Sequence, residues 1–151
     1  MKKSFFSQLF SAFLLVIVTM SGITIFFSYR NFKTEHVNTL SNHLFQICKI
    51  VETVSKDYLF NSDYTNLDKF IKGLGYKIDE RITIVDANGK VLADSDENPL
   101  LMENHGGRLE ISTALKNGFG SSQRYSKTLN EEMLYIAIPI FDGDKTIGVV
   151  R

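Results

Sequence analysis

Disulfide chemistry is closed to this chain: Cys48 is its only cysteine, which also excludes a Cys-rich zinc site. Two prolines and ten glycines exclude collagen-like and low-complexity sequences. Charge of neither sign is in excess, with 17 basic against 17 acidic residues, so bulk charge cannot hold a nucleic acid. No segment repeats at a fixed period, which excludes a solenoid. What is present is apolar: 44% of 151 residues, 12% aromatic, enough to build one core. The apolar residues are unevenly placed.

Between Lys3 and Arg30 lie 26 residues without a charge, Ser4 to Tyr29. At about 1.5 Å per helical residue, that run exceeds the roughly 30 Å hydrocarbon slab of a bilayer. A cleaved signal peptide is the rival reading, because Lys2 and Lys3 form a short basic start. An apolar signal core usually runs about 7 to 15 residues, however, whereas this one resumes after Gly22 and shows no Ala-x-Ala cleavage site. The run is read as an anchor, residues 1–30 being a cytoplasmic tip and transmembrane helix. Lys2 and Lys3 outweigh the outer flank, where Glu35 offsets Arg30 and Lys33, so the N-terminus is expected inside and the remainder outside. That outer part carries 15 basic against 17 acidic residues, a net of −2, and has no polybasic lipid-binding patch.

From Ile23 to Lys72 there is neither glycine nor proline, which predicts a long helix continuing out of the membrane. Within it Val37, Leu40, Leu44, Ile47, Val51, Val54 and Tyr58 recur at alternating steps of three and four, a heptad seam. Phe45 and Cys48 widen the stripe. The helix therefore packs on its own domain, forms a parallel dimer and transmission helix, or does both. Asn61-Ser62-Asp63 reads as an interruption, and residues 67–71 as a short second helix stopping at Gly73 or Gly75. Residues 31–80 form this membrane-proximal segment.

Residues 81–151 read as a sheet domain. Strands at Arg81–Asp86 and Lys90–Asp94 flank Asn88-Gly89, a pair that suits a type I′ turn. A polar loop follows from Ser95 to Gly107, then a helix from Arg108 to Asn117 with Gly118 as its left-handed cap. Three more strands are expected at Ser121–Thr128, Met133–Phe141 and Thr146–Arg151. Leu134, Ile136, Ile138 and Ile140 alternate, giving the middle strand one core face. Pro139 belongs at an edge or a bulge. The expected class is α+β, a long N-terminal helix on a five-stranded antiparallel sheet. Because Val149-Val150-Arg151 breaks off inside an apolar strand, the chain is read as the N-terminal piece of a longer protein.

Chemistry is sparse. Asp94, Asp96 and Asn98 match the first ligands of an EF-hand loop, but Pro99 and His105 occupy the glycine and glutamate positions. A looser cation site on Asp94, Asp96 and Glu103 outlasts the EF-hand reading, since hard cations favour clustered carboxylates, but no metal is assigned. His36 and His43 stand seven apart, not at the i, i+4 spacing for one metal. Neither a Gly-x-Ser-x-Gly elbow nor a phosphate loop occurs, so no catalytic residue is assigned and the chain is not read as an enzyme. The loop's polar residues are solvated or capping on the plain reading. On the functional reading, Asp94, Asp96, Glu97, Glu103 and Glu110 surround Arg108, with His105 held protonated by the carboxylates and able to respond to pH. Asn104 sits in the same loop. Arg124 and Tyr125 are candidates for a pocket or for a cross-strand pair. The ligand or signalling candidates are thus Asp94, Asp96, Glu103, Asn104, His105, Arg108, Glu110 and Arg124.

The run RITIVDANGKVLADSD from Arg81, MENHGGRLEI from Met102, RYSKTL from Arg124 and MLYIAIPI from Met133 together resemble the extracytoplasmic sensor region of phosphate-regulon-type bacterial sensor histidine kinases. Leu109 departs from that pattern, where proline usually follows the arginine; its loss loosens the start of the helix. The resemblance implies a PAS-like (Cache or PDC) fold, a homodimer, a response-regulator partner and a downstream kinase core using ATP and magnesium. No cofactor is implied for these residues, and no phospho-accepting histidine can be named among them. The function so implied is an extracytoplasmic input module of a two-component sensor histidine kinase. Alternatives are the sensor of a chemoreceptor or cyclic-dinucleotide enzyme, or a self-contained membrane-anchored binding protein. The stimulus is unnamed, and the acidic loop argues against direct phosphate binding there.

Overall fold

A computed structural model of the chain describes residues 5–126 and 131–151, with the side chains of residues 33 and 126 left aside. Lys2 and Lys3, and the Lys127-Thr128 end of the third expected strand, lie outside the described residues. The chain forms two compact units, Met1–Leu40 and Ser41–Arg151. Helix α1, Phe5–Phe60, belongs to both. In the first unit its apolar side chains from Phe5 to Phe32, Phe10, Phe13, Leu15 and Val18 among them, are exposed. Among the described residues it is the one helix long and apolar enough to cross a membrane.

In the second unit α1 ends where expected. Ser62 takes a left-handed conformation (φ 54°), and the Asp63 N–H donates back to the Tyr58 carbonyl at 2.9 Å. Asp63 then caps helix α2, Tyr64–Ile78, its carboxylate accepting from the Asn66 N–H at 3.3 Å and from Asn66 Nδ2 at 2.8 Å. This helix is longer than the short one expected, running through both Gly73 and Gly75. Gly75 is a packing residue: a Cβ there would lie 2.4 Å from Cβ of Ser95. Asp79, left-handed at φ 59°, ends the helix instead.

The sheet comprises β1 (Thr83–Asp86), β2 (Val91–Asp94), β3 (Gly120–Ser126), β4 (Glu131–Asp142) and β5 (Lys145–Val150), all antiparallel in the order β2-β1-β5-β4-β3. A 3₁₀ turn, Pro99–Leu101, and helix α3, Leu109–Asn117, connect β2 to β3; Gly118 caps α3 as expected. The β1–β2 turn differs from expectation. Gly89 has φ 84°, but Asn88 is not left-handed, so the turn is not type I′. Asp86 decides this. Its Oδ1 accepts from the N–H groups of Asn88 and Lys90 at 2.8 and 2.9 Å, while its carbonyl accepts from Gly89 at 3.0 Å. That is a three-residue loop closed by a left-handed glycine.

Pro139 sits in an internal strand at a place that tolerates it. β3 reaches only to Ala137, so beyond that point β4 pairs with β5 alone. The sheet is covered on both faces. Ile84, Ala93, Ile136, Ile138, Ile140 and Val150 pack with Cys48, Val51 and Leu59 of α1 and Leu67 and Ile71 of α2. On the other face Val85, Val91, Ala137 and Val149 pack with Ile111 and Ala114 of α3. The seam residues Leu44, Ile47, Val51 and Tyr58 thus serve their own domain, whereas Leu40 and Val54 remain exposed.

Candidate functional site

Beneath α3 lies a charged network that apolar packing alone would not produce. Glu110 occupies the first turn of the helix, where the backbone dipole favours a carboxylate, and its side chain is wholly buried. Strand pairing brings donors to it from the sheet. Ser122 lies opposite Tyr135 and Arg124 opposite Met133, so these residues share the α3 face. Ser122 Oγ donates to Glu110 Oε2 at 2.7 Å; Arg124 Nη2 and Arg151 Nε donate to Oε1 at 3.1 and 2.7 Å. Both guanidinium groups also lie over the Tyr135 ring, 4.1 and 4.3 Å from its centre. Burial alone would push the Glu110 carboxyl up, but the Ser122 hydroxyl, a backbone N–H and Arg151 outweigh it and hold the group below its ordinary range. Two arginines against one glutamate leave the network with one positive charge in excess.

A second carboxylate is buried along the same row. Asp94 lies opposite Thr83, and Thr83 exchanges backbone hydrogen bonds with Arg151 at 2.8 and 2.9 Å. The Asp94 carboxylate accepts from Thr83 Oγ1 at 2.7 Å, from Arg81 Nη2 at 3.0 Å and from the N–H groups of Asp96 and Glu97, each at 3.0 Å. Its lone pairs are taken by protein donors. Asp96 is exposed and accepts from Ser95 Oγ at 2.6 Å. Glu103 is exposed elsewhere on the loop, and no three potential metal ligands converge among the described residues.

Asn104 and His105 fasten that loop to the β1–β2 turn. Asn104 Nδ2 donates to the Asn88 carbonyl at 2.9 Å, and the His105 N–H donates to the Gly89 carbonyl at 2.8 Å. Only glycine fits at residue 89, because a Cβ would lie 2.2 Å from the Gly106 nitrogen. Arg108 starts α3 with an exposed side chain that makes no capping bond.

The expectation that carboxylates hold His105 protonated is corrected. Burial, then the positive charges of Arg108 and Arg151, push its pKa below 6.5; the Glu103 carbonyl and Asp94 oppose this without reversing it. Its Nδ1 is buried without a hydrogen-bond partner among the described residues. The pH dependence follows. The unfolded chain takes up this proton near pH 6.5 and the folded chain only at lower pH, so stability is complete above 6.5 and falls as the pH drops. Unfolding measured at pH 7.5 and 5.5 should show a smaller acid loss in His105→Asn than in the parent chain.

Of the eight candidates, the structure joins Glu110 with Arg124, and sets His105 within the influence of Asp94, Arg108 and Arg151. It leaves Asp96, Glu103 and Arg108 at the surface. Sequence reasoning missed Ser122, Tyr135, Arg151, Arg81 and Thr83. Tyr135 and Arg151 could have been found by alternation, as the odd-numbered partners of Ala137 and Val149 on the second face.

Residues 35–151 match the family described as Single Cache-like. The crystal structure of the sensor domain of the V. cholerae histidine kinase DctB aligns with a TM-score of 0.57 at 16% identity, over 74% of this chain and 48% of that one. The chain therefore spans about half the length of that structure, and the likeness is one of fold. No curated protein matches the chain.

Proposed function

The chain belongs to the single Cache-like family, and on that footing we propose that it is the extracytoplasmic signal-sensing input module of a two-component sensor histidine kinase. The observation that carries this reading is the arrangement along the chain: a Cache domain directly follows an uncharged stretch long enough to span a bilayer. The histidine-kinase output is supported by the fold shared with the DctB sensor domain and by the resemblance of residues 81–151 to phosphate-regulon-type sensors. In this reading the protein is a homodimer. The kinase core, using ATP and magnesium, lies outside these residues and acts on a cytoplasmic response regulator.

The stimulus site we assign is the network around Glu110. Arg124, its side chain 34% exposed, supplies the positive charge left over once Arg151 is paired with the buried Glu110, and His105 Nδ1 is a buried nitrogen without a partner among the described residues. A small anionic molecule fits that chemistry better than a cation does. Direct phosphate recognition by the acidic 94–110 loop is not part of the reading. Ligand binding would favour one of two packings of the sheet against α1, and a coupling of about 1 to 3 kcal/mol would pass inward.

Leu44→Asn tests transmission. In the intact receptor it should change phosphorylation of the response regulator several-fold, while circular dichroism shows the sheet domain folded. Unchanged output would remove α1 as the transmitter.

A further inference from the structure

Between α1 and one end of the sheet lies a cleft of about 540 Å³, within the roughly 300–1,000 Å³ of small-molecule sites. Its walls are apolar. Ile47 and Val51 of α1 form one side, and Leu134 and Ile136 of β4 another. Its solvent edge is acidic, formed by Asp79, Glu80, Asp96 and Glu97. Two cations also line it, but both are committed: Arg81 to the buried Asp94 and, at 3.9 Å, to Asp96, and Arg151 to the buried Glu110. Glu80 is half-buried and has no ion pair among the described residues. Burial and the neighbouring Asp79 push its carboxyl up, with His43 opposing. The cleft thus presents apolar walls and, at Asp79, Glu80 and Glu97, carboxylates without an ion pair among the described residues.

We propose that this cleft binds a small organic cation with an apolar body, of the arylalkylamine class, its ammonium group against Glu80 and its ring between Ile47 and Ile136. Burying a carboxylate without a partner is unfavourable, and an ammonium group arriving there relieves that cost while the walls take the ring. A metal ion would leave the walls unused, and an anion would meet four carboxylates. The proposal does not depend on the role assigned to the Glu110 network.

The full chain in phosphatidylcholine nanodiscs, titrated with tryptamine and with indole-3-acetate, tests this by calorimetry and amide chemical shifts. Tryptamine should bind above its partition into empty nanodiscs and shift the amides of Val51, Ile136 and Glu80. Indole-3-acetate should leave those amides unmoved. Glu80→Gln should weaken tryptamine about five-fold. Glu97→Gln, at an exposed position, should weaken it in the same direction should the first variant misfold. Equal binding of the two compounds, or equal affinity in both variants, would overturn the proposal. So would amide shifts that follow protein concentration and ignore tryptamine, which would make a second copy of this chain the occupant.

Discussion

Glu110→Ala is expected to destabilise the sheet domain by about 3 to 5 kcal/mol, the range for removing one partner of a buried ion pair. The size comes from what is left behind. Arg151 is only 10% exposed at its side chain and would lose its carboxylate while remaining charged. Arg124, at 34%, can turn toward water, so most of the loss falls on Arg151. Ser122 would lose its acceptor as well. Glu110→Gln keeps an acceptor and the shape, and should cost less. Because the folded-state pKa of Glu110 is depressed, its contribution is present above the ordinary carboxylate pKa and lost as pH falls through the folded value. Thermal unfolding followed by circular dichroism at neutral and acidic pH checks both points: the gap between parent and Glu110→Ala should narrow in acid.

The second large effect is expected at Gly120, the first residue of β3. A Cβ built there would lie 1.8 Å from the Glu110 carbonyl oxygen and 2.9 Å from the Ala114 nitrogen. Both are backbone atoms of α3, so no side-chain rotation relieves the clash and the helix must lift from the sheet. Gly120 pairs with Ala137, and these two small residues are what let α3 lie so close. Gly120→Ala should therefore cost about 3 kcal/mol, the upper end for overpacking, and displace the Glu110 carboxylate from Arg124. Gly73 provides the opposite case. It lies inside α2 with nothing within 4 Å of a Cβ, so Gly73→Ala should stabilise by roughly 1 kcal/mol. Equal effects at the two positions would contradict the packing assigned to α3.

Legibility in the sequence followed the range of the interactions. The reach of α1 could be read because helix propensity and hydropathy are local, and fifty breaker-free residues leave little choice. The strand alternation 134, 136, 138, 140 was readable for the same reason. The expectation of one core face was not met, because Ala137, under α3, and Pro139 are buried on the other face. The extent of α2 was not, because Gly75 answers to Ser95 across the fold rather than to its own helix. The turn at Asn88 was misjudged because the Asp86 carboxylate competes for its N–H groups and selects another geometry. The network was half visible. Glu110 and Arg124 stood out as charges, but Arg151 is 41 residues from Glu110 and meets it only through strand register. The charge of His105 was misread because counting carboxylates omits burial, the largest influence on it.

Sidedness is tested most directly by a cysteine placed at the exposed Ala87 in intact cells, probed with a membrane-impermeant maleimide. The native Cys48 provides a silent background, since it is buried and its thiol is pushed up to about 12 by burial. Labelling of Ala87→Cys without permeabilisation is the predicted result for a sensing domain held outside the cell. Labelling only after the membrane is opened would put the domain in the cytoplasm and contradict the account.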